Sequence, residues 1–170
     1  MYLHEDIGLF KELVLKTAEK LNLNSSFVIK DYFVYIFLYE LHQLAPSIVF
    51  KGGTALSKCH HVIDRFSEDI DLGVASCHLT QGQLRAVKKA IVQVCDKLNF
   101  EIININKTRS RKLYNLYEVA LPDINVEGIS TDRLLVETAF MTAVNPCQEK
   151  SVSNYIYHLA ADVLQHVNLL

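Results

Sequence analysis

The chain has 170 residues, of which 50% are hydrophobic and 21% charged, with a formal net charge of -2. This is the composition of a globular chain that can bury one core, and it excludes a disordered or low-complexity protein. The near-neutral charge argues against tight, non-specific nucleic-acid binding, although it leaves room for a local basic patch.

No stretch reaches the roughly 18 apolar residues of a membrane span. The most apolar run, Tyr32 to Tyr39, is bounded by Asp31 and Glu40 and reads as a buried helix face. His4, Glu5 and Asp6 stand where a signal peptide would have basic and then apolar residues, so the expected location is cytoplasmic. Cys59, Cys77, Cys95 and Cys147 are far apart with no CxxC pair, which speaks against a disulfide framework. Cys59, His60 and His61 are consecutive; neighbours on a helix point about 100° apart, and no second ligand pair has finger-like spacing, so zinc is not expected.

In chain order, Leu9, Leu13, Thr17 and Leu21 keep helical spacing, with Phe10 and Val14 widening the stripe, so a first helix is expected over 3–21. Asn24, Ser25 and Ser26 are N-cap candidates for a second helix to about Gln43, apolar on most sides and therefore deep, which Pro46 ends. Ser47 to Phe50 reads as a short strand, broken by Gly52 and Gly53. A helix from Thr54 to about Ile63 and a strand from Asp69 to Val74 follow. Thr80 with Gln83 forms a capping-box pattern that opens a helix to Asn99. Glu101–Ile105, Tyr114–Leu121 and Leu134–Phe140 read as three more strands. Asn145-Pro146 marks a turn, and a last amphipathic helix begins near Val152. The expected fold class is α/β (α+β): a mixed sheet flanked by helices, with a helical N-terminal segment. The expected division is a helical segment over 1–45, a core over 46–145 and the start of a C-terminal helical region over 146–170.

The chemistry concentrates between Phe50 and Leu72, FKGGTALSKCHHVIDRFSEDIDL. On a strand, residues i and i+2 share a face about 7 Å apart, so Asp69 and Asp71 point one way while Ile70 and Leu72 point into the core. Two carboxylates on one face repel unless a cation lies between them, and magnesium suits oxygen ligands and nucleotide phosphates. A DxD alone also fits two surface acids on an exposed strand. Gly52 and Gly53, between a strand and a helix, let backbone amides approach a phosphate, with the Thr54 hydroxyl beside them; a plain tight turn is the other reading. A P-loop requires a glycine immediately before the lysine, and Ser57 stands there before Lys58. Arg65 and Ser67 have the choice of a phosphate, or of a local pairing of Arg65 with Glu68 or Asp64. Glu137, on the apolar strand LLVETAF, is either a third metal-facing carboxylate or a salt-bridged core glutamate. Lys107, Arg109, Arg111 and Lys112 form the one basic cluster, which fits a solvated hairpin end or a local patch.

The string FKGGTALSK followed by RFSEDIDL resembles the AbiEii/AbiGii abortive-infection toxins of the polymerase-β-like nucleotidyltransferase superfamily. Val28-Ile29-Lys30-Asp31-Tyr32 is similar to the KDY-containing helix that precedes the glycines in that family, so the resemblance covers about residues 27–74. It implies a nucleotidyltransferase that uses a nucleoside triphosphate and Mg²⁺, and often a cognate antitoxin from the same operon. RNA, as the acceptor end of tRNA, is the implied acceptor; a protein or small-molecule acceptor, or a non-catalytic nucleotide-binding module acting through a partner, are the alternatives. On this reading Asp69 and Asp71 hold the metal, and Gly52, Gly53, Thr54 and Ser67 bind phosphates. Lys58 or Arg65 balances charge, and Glu137 completes the metal site or serves as base. The family's later lysine and aspartate have no assigned counterpart before Leu170. Either the chain is a fragment or short variant, or Glu137 and the basic cluster take over part of their role.

Overall fold

The computed structural model describes residues 2–63, 69–75, 79–109, 112–124, 126, 128, 133–143 and 146–167, with backbone alone at 142–143 and 162–167. Five helices, α1 (Ile7–Leu21), α2 (Ser25–Leu44), α3 (Gly52–Lys58), α4 (Gln81–Leu98) and α5 (Tyr155–Val167), accompany five strands. The strands are β1 (Ile48–Lys51), β2 (Ile70–Val74), β3 (Glu101–Ile102), β4 (Tyr114–Ala120) and β5 (Arg133–Ala143), arranged in one sheet in the order β1-β2-β5-β4-β3. β2 and β5 are parallel and every other neighbouring pair is antiparallel, so the sheet is mixed and the class is α+β, as expected.

Local chemistry sets most boundaries. The Asn24 side chain accepts from the Ser26 amide and starts α2; Thr80 and Gln83 close the expected capping box on α4. Asn22 and Asn99, both left-handed, end α1 and α4. Four expectations are corrected. The first helix is interrupted: Leu3–Glu5 is a short 3-10 turn, and the Asp6 side chain caps α1 by accepting from the Leu9 amide. Its buried stripe is Phe10, Val14, Thr17 and Ala18, with Leu9 and Leu21 left exposed. α3 begins at Gly52 and stops at Lys58, because Cys59 caps it and His61 turns left-handed at φ 52. The strand expected over 101–105 ends at Ile102, since the Asn104 carboxamide replaces main chain in the ladder, bonding the Leu116 carbonyl and the Glu118 amide at 3.0 Å each.

α2 packs against α1, α4 and α5, and buries Ile29, Tyr32, Phe33 and Phe37 completely. Each such side chain contributes about 1.5–3 kcal/mol. The core cluster joins Phe10 and Tyr32 to Ile70, Leu72, Val136 and Ile156. These residues line one sheet face. On the other, Val49, Lys51, Asp71, Leu116, Leu135, Glu137 and Ala139 are all at least partly exposed, and among the described residues no helix covers them. No described helix is long and apolar enough to cross a membrane.

Candidate active site on the open sheet face

Pairing register assembles the site. Lys51 of β1 lies opposite Asp71 of β2, Asp71 opposite Glu137 of β5, and Glu137 opposite Leu116 of β4. Residues in register share a face, with neighbouring strands about 4.8 Å apart, so two carboxylates more than sixty positions apart in sequence become lateral neighbours. Both are half-buried, while Ile70 and Leu72 face the core, in keeping with the alternation read from DIDL. Asp69 is exposed and sits one residue before β2.

Gly52 explains why the strand must end in glycine. Its φ is +75°, a left-handed value that favours glycine, and a Cβ built there would lie 1.9 Å from Asp71 Oδ2. The carboxylate of Asp71 thus rests directly against the first residue of α3. Gly53 follows in the first turn, whose N-cap, Lys51, makes no side-chain capping bond. Thr54 is fully buried and its Oγ1 donates to the Asp69 carbonyl at 2.6 Å. That hydroxyl, in the residue expected beside a phosphate, holds the entry to β2.

Lys58 has a partner that sequence spacing did not reveal. Its ammonium forms an ion pair with Asp31 Oδ1, with side chains 9% and 6% exposed respectively, and the Tyr155 amide donates to Asp31 Oδ2 at 2.8 Å. Burial pushes the Asp31 carboxyl up, and the Lys58 charge offsets part of that rise. The KDY segment, the GGTALSK helix and the start of α5 are therefore tied at one buried point. Lys58, expected to balance phosphate charge, has this buried pair with Asp31, which fixes α3 to α2. Arg65 and Ser67, with Asp64 and Glu68, lie outside the described residues.

A residue missing from the sequence reading joins the site. The Tyr114 hydroxyl donates to Glu137 Oε2 at 3.2 Å. Burial of the phenol, then the charge and hydrogen bond of Glu137 and the charge of Asp71, push the Tyr114 pKa up. The available signal was its place two residues before Leu116, on the same face of β4. Glu137 is thus bonded by a phenol rather than set in the core.

Among the described residues no three His, Cys, Asp or Glu side chains form a ready metal cage. The donors that are present, Asp71 beside Glu137 with Asp69 at the strand entry, still fit Mg²⁺, which typically takes one or two carboxylates and completes its shell with substrate phosphates and water. A larger depression of about 1010 Å³ lies on the core side of β1, lined by Tyr35, Tyr39, Phe50 and Val152 among others. Asp69, Asp71 and Glu137 are not among the residues that line it.

A mixed α+β sheet with a glycine turn set against paired carboxylates on its open face is consistent with a nucleotidyltransferase-like fold. The model of the AbiEii family, described as nucleotidyl transferase AbiEii toxin, type IV TA system, matches residues 36–167. The chain belongs to that family of nucleotidyl transferase toxins from toxin–antitoxin systems. Neither the curated proteins nor the solved structures contain a match to it.

Proposed function

We propose that this chain transfers a nucleoside monophosphate from a nucleoside triphosphate to a terminal hydroxyl of RNA, of the tRNA kind, as the toxin opposed by a cognate antitoxin. The observation that carries the reading is the register of Asp71 with Glu137 on an uncovered sheet face, with Gly52 packed against Asp71. Asp69 and Asp71, with Glu137, would hold Mg²⁺ delivered with the triphosphate. When bound, that ion neutralises phosphate charge and lowers the barrier to displacement.

The chain's own groups divide the remaining work. Main-chain amides at Gly52 and Gly53 face the phosphates, with Arg65 and Ser67 as further candidates from the adjoining segment. Lys58 serves through Asp31, tying the end of α3 to α2, while the Thr54 hydroxyl holds the first turn of α3 to the entry of β2. Glu137 accepts a proton from the attacking hydroxyl if it is not fully engaged with metal, and Tyr114 orients its carboxylate meanwhile. The open face admits a macromolecular acceptor.

The test is incubation with each α-labelled triphosphate, Mg²⁺ and total cellular RNA or protein. Label is expected in small RNA, to vanish with EDTA, and to fall by about 100-fold or more in Asp71→Asn. Label entering protein alone would transfer the reading to a protein-modifying enzyme. An unchanged rate in Asp71→Asn would remove this site from the account.

A further inference from the structure

We infer that the groove along the free edge of β4, with Lys107, Lys112 and Tyr114 on its wall, is the docking site for a single-stranded RNA 3′ end. The inference rests on the reading above and specifies where the acceptor lies.

A cleft of about 300 Å³ is lined by Asn104, Lys107, Thr108 and Lys112 on one side and by Tyr114, Asn115, Leu116 and Glu118 on the other. It exists because β3 stops at Ile102 and leaves the first half of β4 without a neighbouring strand. Its floor is built, not a loose hairpin end. Asn115, only 8% exposed, accepts from the Arg109 amide at 2.8 Å and donates to the Arg109 carbonyl at 3.1 Å. Thr108 is 3% exposed; its hydroxyl donates to the Ile105 carbonyl, and its own carbonyl accepts from Lys88. Asn104 fixes the turn from below. Arg109 spends its guanidinium on the Asn106 and Thr108 carbonyls.

Lys107 and Lys112 are exposed, and among the described residues neither ammonium has an ion-pair partner, whereas the groove's one acid, Glu118, is engaged by Arg133 and Asn104. The groove therefore carries net positive charge on a rigid frame. Tyr114, 45% exposed, presents its ring at the groove's end while its hydroxyl reaches Glu137. Cations that follow a backbone, plus an aromatic face for a base, are the means by which proteins hold single strands without reading sequence. The far end lies at the carboxylates, and the Gly52 turn is on their opposite side. The row Gly52, Asp71, Glu137, Tyr114 thus sets the donor triphosphate and the acceptor strand on opposite flanks of the reacting centre.

The test measures RNA binding and nucleotide binding separately. Fluorescence anisotropy with an RNA hairpin bearing a four-nucleotide 3′ tail is compared with the blunt hairpin, and Mg²⁺-ATP binding is followed by thermal shift. In Lys107→Glu/Lys112→Glu the tailed RNA should bind at least tenfold more weakly. The salt slope should fall by about 1.4, at about 0.7 per single-strand phosphate contact. Tyr114→Ala should cost tailed RNA severalfold and blunt RNA nothing. The triphosphate shift stays as in wild type in the lysine variant, and a charge-matched control on α1, Lys11→Glu/Lys20→Glu, leaves RNA affinity intact. Wild-type affinity in the lysine variant, or equal losses in the two charge variants, overturns the groove. If label enters only protein while the groove variants still lose tailed RNA, the proposed acceptor fails and the groove stands.

Discussion

Removing the Lys58 ammonium is the sharpest perturbation the fold allows. In Lys58→Met the aliphatic stem remains, so packing is nearly conserved, but among the described residues Asp31, 5% exposed, keeps only the Tyr155 amide as a strong partner. Breaking one side of a buried pair costs about 3–5 kcal/mol, because the remaining charge is stranded in low dielectric. Burial already raises the Asp31 carboxyl, so it escapes part of this by taking a proton, which puts the expected loss at about 3 kcal/mol. For a domain of this size that corresponds to roughly 6–12 °C in Tm. The double variant Asp31→Asn/Lys58→Met keeps an acceptor for the Tyr155 amide and strands no charge, so it should recover to within about 1 kcal/mol of wild type. Urea and thermal unfolding by circular dichroism give the stabilities, and KM for the triphosphate is measured on the same samples. A loss below about 1 kcal/mol in Lys58→Met, together with a raised KM that the double variant shares, would refute the reasoning and return Lys58 to the phosphates.

Three further outcomes are expected. Gly52→Ala puts a methyl 1.9 Å from Asp71 Oδ2; transfer should fall by about 100-fold or more while the protein, strained by about 1–3 kcal/mol at a left-handed position, still unfolds cooperatively. Tyr114→Phe removes the hydrogen bond that orients Glu137, worth about 1 kcal/mol, so kcat should drop roughly fivefold with KM for the triphosphate unchanged. His4 is buried beside Tyr32, and burial holds its pKa below the usual 6.5. The unfolded chain therefore takes up the proton first. This stabilising contribution is complete above about pH 6.5 and is lost as pH falls through the folded-state value. Wild type should lose more Tm between pH 7.5 and 5 than His4→Phe does; equal losses would contradict the assignment.

The element order and the carboxylate-glycine centre were readable because both rest on local pattern: capping residues, alternation in DIDL and a strand broken by two glycines. What resisted reading was decided at long range. Nothing near Lys58 announces Asp31, 27 residues earlier, because a buried pair is made by packing helices together. The bond of the buried Thr54 hydroxyl to the Asp69 carbonyl, 15 positions on, could not be read from spacing either. Asn104 ended a strand that hydrophobicity alone would have continued, since a carboxamide can occupy two ladder positions from the side chain. Tyr114 was invisible as a site residue because an aromatic on a strand ordinarily signals packing.

The strand at the middle of the sheet is the last one made. β5, flanked by β2 and β4, reaches the ribosome's exit only after the other four have emerged, and it carries Glu137. Until it inserts, Asp71 has no carboxylate neighbour and the halves of the sheet have no common partner. The most non-local pairing in the sheet thus gates assembly of the centre. A nascent chain, or one cut short by premature termination, carries the glycine turn and both aspartates yet lacks their neighbour. In this topology the pairing that brings Glu137 beside Asp71 joins the latest-made strand to one made more than sixty residues earlier.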